Sequence, residues 1–440
     1  MRRIMEQSKG RLDPQKERQG RALLVGVYFS SREKQLCEQS LVELQALCAT
    51  FGLITVKSIL VPLHHFESST YIGKGKCKEI GLSSEELQAD VVIFDEEIFP
   101  HQQRNLEKIL RRSVMDRTEL ILGVFAQRAK SREAKIQVEL AASQYQLPRL
   151  TRLWTHLSRQ KTGGGSGGQL KGEGEKQIEI DKRILKRKIA ELQKELIEVK
   201  KHREVQKKER KRRHIPSFAI IGYTNVGKST LLNALTKADV LVEDKLFATL
   251  DTTTRKYLLP NKQEILLIDT VGFVRKIPHA LVAAFKSTLE EALDADILMH
   301  LVDVGHPEAV QQAETTMQVL SELRPLQERP IITCLNKIDL CTDPARLLYF
   351  RLHYPKTVAI SALHQTGFDE LIALMMQEIS LLRREVKLKI PQSHYAFVSE
   401  LMEQGRVISC HYDDENQILL HIEIPSSLEK KAAPFQVSWN

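Results

Sequence analysis

The stretch Phe218-Ala219-Ile220-Ile221-Gly222-Tyr223-Thr224-Asn225-Val226-Gly227-Lys228-Ser229-Thr230-Leu231-Leu232-Asn233 decides the fold. Its first four residues read as a buried strand, the next eight fit GxxxxGK[ST], and the residues from Thr230 onward read as a helix. A strand, a glycine-framed loop and a helix in that order make a phosphate cradle. The glycines let successive N–H groups turn toward phosphate oxygens, and the helix N-terminus adds positive potential. In such a loop Lys228 reaches the β- and γ-phosphates and Ser229 ligates Mg²⁺. The expected fold class is therefore α/β, built on a P-loop nucleotide-binding sheet.

Three further elements follow at 41, 67 and 25 residues, counted from Lys228 to Asp269, Asn336 and Ser361. The apolar run Ile265–Ile268 delivers Asp269-Thr270-Val271-Gly272, a DxxG element whose Asp holds Mg²⁺ through water and whose Gly amide senses the γ-phosphate. After the apolar run from Pro330 to Leu335 comes Asn336-Lys337-Ile338-Asp339. The Asp339 carboxylate accepts from both N1–H and the exocyclic amine of guanine, whereas adenine would leave a buried charge unpaired, so the element selects GTP over ATP. Ser361-Ala362-Leu363, behind Val358-Ala359-Ile360, supplies a loop that supports the base. Four such elements in order imply a GTPase whose ligands are GTP, GDP and Mg²⁺. Between the first two lies Phe247-Ala248-Thr249-Leu250-Asp251-Thr252-Thr253-Thr254-Arg255, where a switch threonine should close on Mg²⁺ and the γ-phosphate. Phe273 stands after Gly272, where many regulatory GTPases carry a water-orienting glutamine. A phenyl ring has no donor or acceptor for that task, so hydrolysis is expected to be slow until a partner completes the site.

Outward from this unit, residues 1–20 form a polar, basic tail expected to be flexible, with no apolar core of signal-peptide length. Residues 21–127 alternate short β-branched runs with amphipathic stretches: Leu23–Phe29, Leu41–Ala49, Leu53–Val61, Val91–Asp95, Leu106–Leu110 and Leu120–Val124. That alternation predicts a small α/β domain with a mostly parallel sheet. Gly73-Lys74-Gly75-Lys76 lacks the outer glycine of a phosphate loop and reads as a basic surface turn, with nucleotide binding as the alternative.

Residues 128–215 change to helical periodicity, with Pro148 placed to bend or interrupt the first helix. Leu185, Ile189, Leu192, Leu196 and Val199 then recur every three or four residues, the seam of a helix packed on one partner. Two helices around a glycine-rich tip predict an antiparallel hairpin. The tip, 163–174, holds seven of the chain's 21 glycines, too many for a regular element, and is expected to be a loop. Residues 216–382 make the GTPase domain and 383–440 a small α+β appendage, with strands at Val386–Ile390 and Ile418–Ile424 around a helix near Phe397–Met402.

Charge is concentrated rather than spread. From Lys182 to Arg213 the chain carries 15 Lys or Arg against five Glu, a net +10, while the whole protein is +9. This points to a polyanion-facing element, RNA first, with Lys207, Lys208, Arg210, Lys211, Arg212 and Arg213 as candidate contacts and a solvated helix face as the alternative. No apolar run approaches the roughly 18 residues needed to cross a bilayer. Six scattered cysteines without CxxC pairs signal neither a disulfide framework nor a zinc site and suit a cytoplasmic protein.

Taken with these motifs, the chain resembles the HflX family of ribosome-associated GTPases. The resemblance is carried by Tyr71-Ile72-Gly73-Lys74-Gly75-Lys76, Asp116-Arg117-Thr118, Gln127-Arg128-Ala129, Gln137-Val138-Glu139-Leu140, Pro148-Arg149-Leu150 and Gly172-Glu173-Gly174-Glu175, besides the GTPase elements, over residues 21–382. It implies that the Mg²⁺-binding switch threonine is Thr249. It also implies a partnership with the large (50S) ribosomal subunit and ribosomal RNA, in splitting or rescuing ribosomes under stress or in their biogenesis. A monomer, ribosome-associated and with peripheral membrane association left open, is the expected state. Asn225 matches the position that coordinates potassium in potassium-stimulated GTPases, the alternative being a loop-stabilising amide. Two departures stand out: Thr252 where the family reads proline, and a longer glycine tip with Glu173 in place of proline. Two other readings remain: a GTP switch for a non-ribosomal partner, and ATP-driven RNA remodelling by the N-terminal domain.

Overall fold

The computed structural model describes residues 19–152, 170–212, 215–236, 246–247, 249–250, 252–276, 294–323, 329–354, 356–413, 417–425 and 428–437. They group into two units, one of residues up to 200 with 241–252 and 271–289, the other of 201–240, 253–270 and 290–440.

In the first unit strands and helices alternate: β1 (Arg21–Tyr28), α1 (Ser31–Phe51), β2 (Ile54–Pro62), α2 (Lys74–Glu86), β3 (Val91–Phe94), α3 (Pro100–Leu110), β4 (Ser113–Asp116) and α4 (Arg117–Arg128). The sheet order is β2-β1-β3-β4 and every pairing is parallel. The two-residue period of β1 sends Ala22 and Leu24 into one apolar core and Leu23 and Val25 into the other, so both faces are covered. The run Leu120–Val124, last in the sequence alternation, lies in α4, and the strand before it is only Ser113-Val114-Met115-Asp116. Asp116 caps α4, accepting from the Glu119 N–H at 2.8 Å, and this cap decides helix over strand. Gly73-Lys74-Gly75-Lys76 is not a turn: Gly73 is the extended N-cap of α2 and the other three open the helix.

α5 (Arg132–Arg152) runs on through Pro148, and α6 (Leu170–Arg212) begins before Gly172 and Gly174. These two glycines therefore lie in a helix's first turns rather than in a loop, where a 43-residue helix absorbs about 1 kcal/mol for each; residues 163–169 lie outside the described residues. Ile189, Leu192, Leu196 and Val199 of α6 pack on Ile136 and Leu140 of α5. The ion pairs Glu139–Lys188 and Arg132–Glu195 run in opposite directions along the two helices, which are therefore antiparallel.

The second unit contains β5 (Ser217–Gly222), α7 (Lys228–Thr236), β6 (Thr253–Leu258), β7 (Glu264–Asp269), β8 (Ile297–Asp303), α8 (Ala309–Leu323), β9 (Ile331–Asn336), α9 (Pro344–His353), β10 (Thr357–Ala359) and α10 (Phe368–Leu381). Its sheet, β10-β9-β8-β5-β7-β6, is parallel except for β6. Beyond it, β11 (Arg383–Ile390), α11 (Tyr395–Gln404), β12 (Arg406–Tyr412) and β13 (Ile418–Pro425) form an antiparallel sheet, β11-β13-β12, with its own apolar core. β12 is absent from the sequence reading because Arg406-Val407-Ile408-Ser409-Cys410-His411-Tyr412 is an edge strand with no buried residue and no alternation to detect. Among the described residues no helix is long and apolar enough to cross a membrane.

Candidate nucleotide site

The C-terminal ends of β5, β7 and β9 release their loops at Gly222, Asp269 and Asn336, the edge where parallel α/β sheets place ligands. Gly222 and Gly227 frame the first loop for steric reasons. A Cβ at Gly222 would stand 2.4 Å from the Leu301 carbonyl, and one at Gly227, with φ +94°, 2.5 Å from Asn336 Nδ2. Between them Lys228 folds its ammonium back on the loop, donating to the Tyr223 carbonyl at 2.8 Å and the Gly222 carbonyl at 3.3 Å. Burial lowers its pKa to about 8 against the opposing pull of Asp269. Thr224 Oγ1 is buried with no hydrogen-bond partner among the described residues.

Ser229, in the first turn of α7, donates its hydroxyl to Asp269 Oδ2 at 2.6 Å, and Asp269 is fully buried at the end of β7. The next hydroxyl, Thr270 Oγ1, donates to the Ile220 carbonyl at 2.7 Å and locks β7 to β5. A hydroxyl and a carboxylate side by side, both hard oxygen donors, fit a small divalent cation such as Mg²⁺.

On the other side of the loop, Lys337 sits in a left-handed backbone conformation, φ 61°, and donates to the Asn225 carbonyl at 2.9 Å while pairing with Asp303 at 2.7 Å. Asp303 was not singled out from sequence, although it ends an apolar strand, β8, as Asp269 ends β7. Asp339 is exposed, which corrects the expectation of a buried carboxylate. A hydrogen bond from Ser361, aided by nearby His364 and Lys337, holds its pKa below the usual aspartate value. The ionised form of this carboxylate is thereby favoured. Ala362 is buried and Leu363 exposed.

The switch residues divide differently. Thr249, Thr252 and Gly272 lie in loops of the first unit, whereas Ala248 and Asp251 lie outside the described residues. Phe247 and Leu250 bury their side chains with Leu246, Val271 and Val274 in the apolar core of the N-terminal sheet, where the Phe247 ring meets Phe125 edge-on at 4.5 Å. Their side chains are core elements, which a reading of the loop as nucleotide contacts missed. Phe273 is buried too, so its ring packs rather than reaching toward a reacting water. Asn225 is exposed with φ 61°. Lys207, Lys208, Arg210, Lys211 and Arg212 lie on the last turns of α6, and Arg213 lies outside the described residues.

Comparison with known proteins matches three families along the chain: "GTP-binding GTPase N-terminal" over residues 38–126, "GTP-binding GTPase Middle Region" over 128–210, and "50S ribosome-binding GTPase" over 217–337. The chain is 47% identical over 424 residues to GTPase HflX of Chlamydia pneumoniae, covering 96% of this chain and 89% of the relative. It is 36% identical to GTPase HflX of Escherichia coli over 92% of this chain and 93% of that protein. Among solved structures it is similar to a GTP-binding protein from the archaeon Sulfolobus solfataricus in complex with GDP, 27% identical, covering 82% of this chain and 99% of the other, with a TM-score of 0.43.

Proposed function

The chain belongs to the HflX family of GTPases, and from that membership we propose that it spends its GTP cycle on the large (50S) ribosomal subunit, splitting or rescuing ribosomes under stress or assisting their biogenesis. It hydrolyses GTP to GDP and phosphate. In this reading Gly222 to Thr230 wrap the phosphates, Lys228 leaves its carbonyl partners for the β- and γ-phosphates, and the Gly272 amide senses the γ-phosphate. Ser229, Thr249 and, through water, Asp269 are the residues that would hold Mg²⁺. When bound, that ion neutralises charge on the phosphate oxygens. Asn336 and Lys337 hold the base loop to the phosphate loop while Asp339, Ser361, Ala362 and Leu363 read the guanine.

The observation that carries the catalytic half is the pairing of Ser229 with Asp269 in a loop whose lysine is buried and already turned inward. Phe273 is buried, and the residue after Gly272 therefore offers no group to orient water; in this reading turnover is slow alone and a ribosomal partner completes the site. A potassium ion at Asn225 would add positive charge beside the phosphates; hydrolysis faster in K⁺ than in Na⁺ at equal ionic strength supports it, and equal rates discard it.

The helical arm, residues 128–215 with the glycine-rich stretch 163–174 whose residues from Leu170 open α6, is the proposed ribosomal RNA contact. Its support is the net +10 of residues 182–213, of which 182–212 lie on one long helix. The protein is proposed to act as a cytoplasmic monomer. Sedimentation with separated ribosomal subunits, in GTP analogue, in GDP and without nucleotide, tests the reading. Co-migration with the large subunit, strongest with the analogue, is expected. Absence of co-migration in all three states would leave a GTPase that switches a different partner.

A further inference from the structure

Asp116 and Arg117 are neighbours in the chain at the junction of β4 and α4, and they face different partners. Asp116, fully buried, accepts from the Tyr145 hydroxyl at 2.7 Å and 2.8 Å and from Arg149 at 2.6 Å. Both donors lie on α5, the first helix of the arm. Arg149 also stacks over the Tyr145 ring at 3.9 Å and reaches the Ile98 carbonyl at 3.0 Å, so the arm is held here by one compact polar cluster.

Arg117, only 2% exposed, turns to the segment that follows Gly272. It pairs with Glu43, donates to Asp95 at 2.7 Å and to the Arg275 carbonyl at 3.2 Å. Glu43 in turn accepts from the Arg275 N–H at 3.3 Å, and Asp95 accepts from Lys276 at 2.6 Å. Lys276 also pairs with Glu96 at 2.5 Å. Burial pulls the Lys276 pKa down, but Asp95 and Glu96 more than offset this and hold the ammonium charged. Arg275 and Lys276 are three and four residues past Gly272, the glycine assigned to γ-phosphate sensing.

We propose that the Asp116-Arg117 pair couples the arm to the γ-phosphate-sensing segment: Asp116 holds Tyr145 and Arg149, Arg117 holds Glu43, Asp95 and Arg275, and a movement at either end is transmitted through the rigid strand–helix junction between them. Buried charge pairs suit this task because a removed partner leaves an uncompensated charge, so the cluster changes between discrete arrangements rather than yielding gradually. Asp116, Arg117, Arg149 and Lys276 are thus positioning residues for hydrolysis. The coupling is reciprocal: whatever factor the arm's partner adds to ordering of residues 272–276, GTP adds to the arm's affinity for that partner. The inference rests on the assignment of the arm to the large subunit only for the identity of that partner.

The test uses the full-length chain carrying Arg149→Gln, with the milder Tyr145→Phe as a second variant and Arg149→Lys as the conservative rescue. Amide hydrogen exchange of residues 272–276 with a GTP analogue bound should rise about ten-fold in Arg149→Gln, less in Tyr145→Phe, and return toward wild type in Arg149→Lys. Exchange in β1 and β3 should not change. Subunit-stimulated kcat should fall by about the same factor while KM for GTP is kept. Exchange at 272–276 unchanged in both variants, or raised equally in β1 and β3, overturns the coupling. Because exchange needs no ribosome, a wild-type chain that large subunits neither bind nor stimulate overturns the ribosomal reading alone.

Discussion

Asn336 and Val226, 110 residues apart, are joined by a hydrogen bond from the Asn336 side-chain amide to the Val226 carbonyl at 2.7 Å. The same side chain accepts from the Ala362 N–H at 2.9 Å, so one buried amide ties the phosphate loop, the NKxD loop and the loop after β10 together. Gly227 is glycine partly because of it, since a Cβ there would strike this amide at 2.5 Å.

Asn336→Ala should therefore weaken nucleotide binding through loop order rather than through a lost ligand contact. It leaves a buried carbonyl and a buried N–H without their partner, at about 1–3 kcal/mol each, and a loss of ten-fold or more in GDP affinity is expected. Titration with a fluorescent GDP analogue reads it. An affinity within two-fold of wild type would mean the three loops hold their geometry without this residue.

Asp339→Asn should exchange base preference. The exposed, ionised carboxylate offers acceptors to both guanine donors, and an amide presents a donor that matches the second carbonyl of xanthine instead. Xanthine nucleotide should displace GTP as the preferred substrate in competition assays. Retention of the wild-type GTP preference would remove Asp339 from the base site.

The GTPase half was legible because its signals are local: a loop framed by Gly222 and Gly227 and apolar strands ending in Asp269 and Asn336 need no tertiary knowledge to be read. What escaped notice depends on residues distant in sequence. Phe247 looks like a loop residue until Phe125 is seen against it, and Asp116-Arg117 is only a short charged motif until Tyr145, Arg149 and Lys276 are brought to it. β4 was hidden for a different reason, being four residues long and followed by a more apolar helix.

His300, fully buried in β8 with neither ring nitrogen hydrogen-bonded among the described residues, should set part of the acid sensitivity of the second unit. Burial lowers its pKa from 6.5 to about 4, so between those values the unfolded chain binds a proton that the folded one does not. Stability from this residue is complete above pH 6.5 and falls as pH drops toward 4, by about 3 kcal/mol over that window. His300→Leu should flatten the decline of Tm between pH 6.5 and 4 without needing a gain at pH 8. An unchanged pH profile would assign the acid sensitivity to other groups.

The basic end of the arm makes a prediction that separates electrostatic docking from a merely solvated helix. Each phosphate neutralised by a lysine or arginine releases a condensed counterion, so binding through this segment must weaken steeply with salt. Phosphate contacts fix position and carry no sequence information, so several small charge losses should add rather than abolish recognition at one step. Neutralising Lys207, Lys208, Arg210, Lys211, Arg212 and Arg213 together should weaken large-subunit binding and flatten the slope of log affinity against log salt, leaving GTP affinity near wild type. Deleting residues 163–174 should act differently, sparing much of the affinity while removing subunit stimulation or splitting, because this glycine-rich stretch, in which Lys171 is offset by Glu173, carries no net charge. The measurements are subunit sedimentation across a salt series and stimulated GTP turnover for both variants. Binding and salt slope unchanged in the six-charge variant would show that the segment is only the solvated face of a long helix, and the polyanion contact would then have to be sought elsewhere on the chain.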